Sequence, residues 1–203
     1  MKLYNERNPA PNPRRVRIFL AEKGISIPIE NVSIRERAHK SPKFKQKNSL
    51  GQLPVLELDD GTHLSESVAI CRYLEELNPT PALFGFDAIA RARVDMWIRR
   101  IEFAIMNPVA AVWVHTHPFT APLGTQYKDY GESNRERAFN SMRWLDRELE
   151  GREFVAAQQF SMADIVALTT IDFAKFVGME MPSDTPQLHA WHTRVSARPS
   201  ASA

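Results

Sequence analysis

A proline at the entrance to a predicted strand most constrains how this chain can fold. The segment reads Gly51-Gln52-Leu53-Pro54-Val55-Leu56, and the turn signal Asp59-Asp60-Gly61 follows it. Proline has no backbone N–H and cannot donate to a sheet ladder, so it belongs at the start of a strand. The segment therefore predicts a hairpin over 55–64 behind Pro54, with a cis peptide bond that turns the Leu53 backbone outward.

An acid–serine pair, Glu66 and Ser67, opens a predicted helix directly after this hairpin. A turned-out backbone at Leu53 can pair with an extended ligand in the manner of a strand. Ser67 at a helix start offers a hydroxyl and free backbone N–H groups to a carboxylate, and Glu66 can accept from an ammonium. The segment therefore suits the binding of one end of a small peptide.

The first 77 residues alternate strand and helix signals. A strand is predicted over 2–5, then a helix that Asn12 caps and Gly24 ends, and then an edge strand over 25–30 interrupted by Pro28. The hairpin and the helix from Ser67 complete the order. We expect a thioredoxin-like α/β domain over 1–77, with its first two strands parallel.

The rest of the chain shows no convincing strand. Residues 78–86 contain Pro79, Pro81 and Gly85 and predict a linker, and helical apolar patterns predict an all-α domain over 87–203. Ser161 and Asp164 form a predicted capping box at the start of one helix. The predicted elements are a helix from 94 that Pro108 kinks or ends, a loop over 116–131, and helices around 138–149, over 162–177 and over 188–197.

Composition and charge favour a globular protein without a polyanionic partner. The chain has 203 residues, 43% of them hydrophobic, and a formal net charge of +2 with scattered basic residues. We therefore expect neither a nucleic acid nor a membrane as partner. No signal-peptide pattern is visible, and the single cysteine, Cys71, excludes an internal disulfide, so we expect a cytoplasmic protein. Cys71 itself is interpreted as a buried small hydrophobe.

The sequence favours neither a metal site nor the catalytic serine of a hydrolase. His115 and His117 would face different sides of a helix, while His189 and His192 share a face but have no third ligand near in sequence. We therefore expect no metal site. The chain also lacks Gly-X-Ser-X-Gly, the nucleophile elbow of many hydrolases.

Segments spread over nearly the whole chain carry a family resemblance. They are Lys2-Leu3-Tyr4, the helix from Asn12-Pro13-Arg14-Arg15 to Gly24, Leu53-Pro54-Val55 with Glu66-Ser67, Phe160-Ser161-Met162-Ala163-Asp164-Ile165, and Pro186-Gln187-Leu188-His189-Ala190-Trp191. In this order, these segments resemble those of the glutathione S-transferases. The resemblance implies a glutathione transferase that uses glutathione as co-substrate and a small electrophile as second substrate. It also implies a homodimer with its sites near the subunit boundary.

The resemblance also implies how glutathione would be held. Glu66 and Ser67 would hold the γ-glutamyl end. The Leu53 backbone would pair with the cysteinyl backbone, Pro54 would belong to the same binding segment, and Gln52 would reach the same peptide. Lys40 or His39 would meet the glycine carboxylate, although a solvated surface role explains Lys40 as well.

The thiol is the chemical problem that such a site must solve. A free cysteine thiol has a pKa of about 8.5, and lowering it by about two units requires about 2.7 kcal/mol of preference for the anion. A helix N-terminus supplies about 0.3–1 kcal/mol when exposed, and one hydrogen bond to a charged acceptor supplies about 1.5–3 kcal/mol. A helix dipole and one good hydrogen-bond donor together are therefore sufficient to lower the thiol pKa by about two units.

The resemblance places the donor in the turn before the first helix. Many relatives have a serine, threonine or cysteine at the position of Ala10, which has no donor. We predict that Asn12 donates to the sulfur, supported by backbone N–H groups of residues 11–14. An ordinary helix-cap role for Asn12 is the alternative. Arg14 and Arg15 add positive potential or belong to a solvated helix face.

The electrophile pocket is expected against the long helix of the second domain, with Met106, Trp113 and Phe119 as wall candidates. Ordinary packing is the alternative for each of these residues. Two other functions stay open. One is a glutathione-dependent disulfide reductase with Asn12 at the sulfur, and the other is a non-catalytic binding or scaffold protein in which Ala10 marks lost chemistry.

Overall fold

The computed structural model describes residues 1–7, 10–156 and 158–203, which divide into two units. The first unit comprises residues 1–83 together with residues 199–203, and the second comprises residues 84–198. Asn8 and Pro9, part of the loop ahead of the first predicted helix, lie outside the described residues.

A four-stranded sheet forms the centre of the first unit, as the thioredoxin-like prediction requires. Its strands lie in the order β2-β1-β3-β4, with β1 parallel to β2 and the other two pairs antiparallel. Leu3 of β1 pairs with Leu56 of β3, and both are completely buried. The strands are β1 (Lys2–Asn5), β2 (Ile29–Asn31), β3 (Val55–Glu57) and β4 (His63–Ser65); the helices are α1 (Pro11–Lys23), α2 (Pro42–Lys45) and α3 (Ser67–Leu77).

The second strand is shorter than predicted. Strand pairing begins at Ile29 rather than at Ile25. The Ile25 N–H instead donates to the Leu20 carbonyl and closes the end of α1, and the Pro28 carbonyl accepts from Leu3. The expected edge position and the parallel pairing with β1 are confirmed.

Helix α1 begins before the residue predicted to cap it. Ala10 occupies the N-cap position with an extended backbone and no side-chain cap, and Pro11 is the first helical residue. The predicted cap role of Asn12 is therefore wrong, because Pro11 fits the first helical position as well as Pro13 does. Gly24 ends the helix with φ +63°, as predicted.

The described part of the second unit contains five helices of eight or more residues. Between the first two, residues 102–106 form a π-helical turn, in which the Asn107 N–H donates to the Glu102 carbonyl. This turn accommodates Pro108, which cannot donate, so the proline changes the helical winding without ending the run. The helices are α4 (Ala88–Ile101), α5 (Asn107–Thr116), α6 (Lys128–Glu148), α7 (Met162–Phe176) and α8 (Pro186–Ser196).

The loop predicted over 116–131 is only partly observed. A 3-10 turn occupies Pro118–Leu123, and α6 begins at Lys128. Gly131, which favoured a loop in the sequence, packs against the end of α5. A Cβ at this position would lie 2.5 Å from Cγ2 of Thr116, so the glycine allows close approach of the two helices.

The capping box predicted at Ser161 and Asp164 is confirmed at the start of α7. The fully buried Asp164 carboxylate accepts from Ser161 and Val155 N–H groups, the Ser161 hydroxyl and the Trp191 indole. These donors connect α7 with α8 and the preceding loop. No helix among the described residues combines the length and the apolar character needed to cross a membrane.

Candidate active site

A cleft on the first unit brings together residues that are distant in the sequence. Six of the residues predicted to bind the ligand lie there, and Lys40 is not among the lining residues. The cleft also includes Asn48, which belongs to none of the sequence motifs described above. The lining residues are Asn12, Asn48, Gln52, Leu53, Pro54, Glu66 and Ser67.

The backbone at Leu53 lies where the prediction placed it. The peptide bond between Leu53 and Pro54 is cis, as expected. The register of β3 with β1 ends at Val55, which pairs with Tyr4, so Leu53 lies beyond the last paired residue of the strand. Its side chain is buried, and its position at the end of the sheet fits pairing with an extended ligand.

Glu66 connects β4 to α3 in an uncommon backbone conformation. Its φ of +67° and ψ of +113° lie outside the regions that non-glycine residues ordinarily adopt. Such a conformation costs of order 1–3 kcal/mol and is typical of functional sites. It sets Ser67 as the first residue of α3, where the first backbone N–H groups have no partner within the helix.

Arg15 lies next to Ser67 in the interior of the unit. Its side chain is 2% exposed, so the interpretation of this residue as part of a solvated face is wrong. Nη1 lies 3.5 Å from Ser67 Oγ, a long hydrogen bond in which the guanidinium donates. Because the hydroxyl oxygen accepts from inside the unit, its own hydrogen can be donated to a ligand carboxylate.

Cys71 lies in α3 behind this site and is fully buried, which confirms its interpretation as a core residue. Burial raises the pKa of the Cys71 thiol far above its usual range, although the charge of Arg15 acts in the opposite direction. A neutral buried thiol is a poor nucleophile. The cleft's chemistry therefore depends on its other residues.

Asn12 is exposed at the second position of α1 and faces the cleft. Its side chain makes no hydrogen bond within the described part of the chain. The predicted support from backbone N–H groups of residues 11–14 is largely wrong. Pro11 and Pro13 have no N–H, and the Arg14 N–H donates to the Ala10 carbonyl. In the described part of this turn, the Asn12 side-chain amide therefore remains available to donate to a ligand.

Lys40 lies beside the loop that leads into the cleft. Its Nζ donates to the Leu50 carbonyl at 3.0 Å. A Cβ added to Gly51 would lie 2.7 Å from the His39 carbonyl oxygen and 3.2 Å from the Lys40 side chain, so residues 39 and 40 pack directly on this loop. Burial lowers the pKa of His39, and its Nδ1 has no hydrogen-bond partner among the described residues.

Two of the three predicted electrophile-pocket residues are neighbours in the second unit. The rings of Trp113 and Phe119 stack with centroids 5.6 Å apart. His117, Phe173 and Phe176 also contact Trp113, at centroid distances of 4.2, 5.6 and 5.4 Å. Phe119 remains 40% exposed.

Met106, the third predicted residue, lies in the π-helical turn, seven residues before Trp113, and is half-buried. Among the described residues, no three histidine, cysteine, aspartate or glutamate side chains form a group that could hold a metal ion.

The chain is similar to known proteins along nearly its whole length. The family described as "Glutathione S-transferase, N-terminal domain" matches residues 10–77, and "Glutathione S-transferase, C-terminal domain" matches residues 104–199. Glutathione S-transferase 2 of Saccharomyces cerevisiae is 37% identical over 194 residues, covering 94% of this chain and 83% of that protein. Glutathione S-transferase theta-2 of Homo sapiens is 36% identical over 189 residues, covering 91% and 76%. The crystal structure of Gtt2 from Saccharomyces cerevisiae superposes with a TM-score of 0.94 at 36% identity, covering 100% of this chain and 99% of that one.

Proposed function

Because the chain belongs to the glutathione S-transferase family, we propose that its cleft binds glutathione and that the protein joins glutathione, through its sulfur, to a small electrophile. The observation that carries this proposal is the convergence of Asn12, Leu53 and Ser67 in one cleft. These residues offer a donor for a sulfur anion, a backbone for a peptide and a site for a carboxylate.

The γ-glutamyl end of glutathione binds at the start of α3. Its carboxylate accepts from the Ser67 hydroxyl and from the free N–H groups of the first helical turn. Its ammonium donates to the Glu66 carboxylate, which the positive φ of that residue presents beside the helix start. The cysteinyl backbone pairs with Leu53, and the exposed Gln52 side chain reaches the same peptide.

The glycine carboxylate binds at the opposite end, near the loop that contains Gly51. Lys40 is the cation proposed for it, because its ammonium lies at the Leu50 carbonyl, close to this loop. Its contribution is expected to be modest, since exposed ion pairs contribute about 0–1 kcal/mol.

The thiol of bound glutathione lies at the start of α1. The Asn12 amide donates to the sulfur, and the positive end of the helix adds to the preference for the anion. Together these effects amount to about 2–4 kcal/mol, enough to lower the thiol pKa by about 1.5–3 units. The thiolate then attacks an electrophilic carbon, forming a carbon–sulfur bond while the leaving group departs with its electron pair.

The second unit supplies apolar side chains for the electrophile. Trp113 and Phe119 present a stacked, partly exposed aromatic surface, and Met106 adds a flexible apolar side chain. We propose that these residues favour planar, apolar electrophiles.

Calorimetric titration of the protein with glutathione tests the proposal, together with an assay of conjugation to an aryl halide. We expect a dissociation constant in the micromolar-to-millimolar range and conjugate formation above the uncatalysed rate. Absence of glutathione binding would overturn the proposal. Binding without turnover on a panel of electrophiles would favour the scaffold alternative instead.

Ala10 favours a second candidate, a glutathione-dependent disulfide reductase. The first turn of α1 has an amide at Asn12 but no hydroxyl or thiol at position 10. Reduction of hydroxyethyl disulfide without conjugation of aryl halides would identify this activity. The reverse pattern would support the transferase.

We also propose that the protein is a homodimer in the cytoplasm. Ile89, Met96 and Phe103 lie seven residues apart along one helical run and are 64%, 40% and 63% exposed. Side chains at this spacing share one face of a helix, and the proposed occupant of the face is a second copy of the chain. Met96→Glu should produce monomers in light scattering, whereas an unchanged dimer would contradict this assignment. The single buried cysteine is consistent with a reducing compartment.

A further inference from the structure

Asn48 connects two points of the loop that leads into the cleft. It is 7% exposed and lines the cleft. Its Nδ2 donates to the Gln52 carbonyl at 3.0 Å, and its Oδ1 accepts from the Leu50 N–H at 3.1 Å. One side chain therefore holds the loop from residue 50 to residue 52.

The rest of this loop leaves little room for adjustment. The Gly51 N–H donates to the Asn48 carbonyl at 2.7 Å, and Gly51 adopts φ +55°. A Cβ at Gly51 would lie 2.7 Å from the His39 carbonyl oxygen, so the turn is packed against its neighbour. The turn ends at Gln52. Its carbonyl belongs to the Gln52–Leu53 peptide group, so the hydrogen bond from Asn48 to this carbonyl orients that peptide group.

The Gln52–Leu53 peptide group transmits this orientation to the ligand site. It is not cis: among the described residues, the cis bonds are Leu53–Pro54 and Thr80–Pro81. In a planar trans peptide the C=O and the following N–H point in opposite directions. When Asn48 holds the Gln52 carbonyl, it also directs the Leu53 N–H away from itself.

We propose that Asn48 is a positioning residue for glutathione. By donating to the Gln52 carbonyl it fixes the direction of the Leu53 N–H, which then donates to the cysteinyl part of the tripeptide. This inference rests on the proposed function, since it takes glutathione as the ligand. Asn48 does not act on the sulfur, so it should affect affinity and leave the thiolate chemistry unchanged.

The test compares two variants of Asn48 with a matched control in calorimetry and steady-state kinetics. Asn48→Ala removes both hydrogen bonds. Asn48→Asp keeps the acceptor for Leu50 and removes the donor to Gln52. Asn78→Ala is the control, because Asn78 Nδ2 also donates to a backbone carbonyl of the same unit, that of Leu74, without lining the cleft.

For both Asn48 variants we expect the dissociation constant for glutathione to rise roughly tenfold, the cost of about one polar interaction. The rate at saturating glutathione and the thiol pKa of the complex should stay within error of the wild type. Asn78→Ala should bind glutathione as the wild type does, even if it lowers the melting temperature as much as the Asn48 variants do.

Three results would overturn the inference while leaving the proposed function intact: wild-type affinity in Asn48→Asp, equal weakening in Asn78→Ala, or a fall in the saturated rate without loss of affinity. If Asn48→Ala does not fold, Asn48→Asp provides the test. A wild-type protein that does not bind glutathione would overturn the proposed function and this inference together.

Discussion

The guanidinium of Arg15 approaches the hydroxyl of Ser67 from inside the first unit, with Nη1 3.5 Å from Oγ. This relationship places a buried positive charge beneath the start of α3, where the proposed γ-glutamyl carboxylate binds. The serine hydroxyl is thereby oriented by the protein before any ligand arrives, which reduces the entropy lost on binding.

Ser67→Ala should weaken glutathione binding, because it removes a donor to the ligand carboxylate and the acceptor for Arg15. We expect the dissociation constant to rise about 10- to 100-fold, corresponding to a hydrogen bond to a charged group. Calorimetry measures this change. Ser65→Ala, at the end of β4 and outside the cleft, is the control and should retain wild-type affinity.

Ala10→Ser should stabilise the protein by giving α1 the N-cap side chain that it lacks. Ala10 is an N-cap with extended backbone and no side-chain cap, so a serine there can accept from the Asn12 N–H. The free energy of unfolding should rise by about 1 kcal/mol in urea titration. Ala21→Ser, at an exposed position inside α1, should lower it by a few tenths of a kcal/mol instead. If Ala10→Ser instead lowered the free energy of unfolding, the serine hydroxyl would not be accepting from the Asn12 N–H, which would contradict the prediction.

Glu57 should make stability depend on acid pH. The Tyr4 hydroxyl donates to its carboxylate at 2.6 Å, the Lys47 ammonium lies at 2.9 Å, and together they lower the pKa of Glu57 to about 2. Since the folded pKa is the lower one, this stabilisation is present above about pH 4.5 and is lost as the pH falls towards 2. Urea titrations across this range should show Glu57→Gln less stable than the wild type at neutral pH, with the difference vanishing near pH 2. A difference independent of pH would contradict the assignment, and Glu36→Gln, an exposed glutamate of the same unit, is the control.

Cys71 should be unreactive in the folded protein. It is completely buried, and burial raises the pKa of its thiol, so the reactive thiolate is scarce. A chromogenic disulfide reagent should modify one thiol per chain only after denaturant is added. Rapid modification of the native protein would show that α3 opens readily at this position.

Features set by local chemistry were predictable from the sequence. The position of Pro54 at a strand start, the glycine that ends α1 and the capping box at Ser161 and Asp164 each depend on a few adjacent residues, and the structure confirms all three. These features also placed the candidate cleft, because the hairpin and the start of α3 follow one another in the chain.

The sequence did not predict features for which local rules allow two helix starts, or for which tertiary packing determines the position of a side chain. Pro11 and Pro13 fit a helix start equally well, so the position of Asn12 within the first turn could not be chosen from the sequence. The burial of Arg15 depends on how α1 packs against α3, which no short motif encodes. Asn48 lies in a lysine-rich stretch whose composition predicts an exposed surface, and only its hydrogen bonds to the loop show its position in the cleft.

The ultraviolet absorbance of the glutathione thiolate in the complex, measured against pH, tests the central claim most directly. We expect an apparent thiol pKa well below about 8.5 in the wild type. In Asn12→Ala it should rise by about 1–2 units, with glutathione affinity retained, because one hydrogen bond to the sulfur is lost. Asn78→Ala should match the wild type. An apparent pKa near 8.5 in the wild type, or the same pKa in Asn12→Ala as in the wild type, would contradict the role assigned to the first turn of α1.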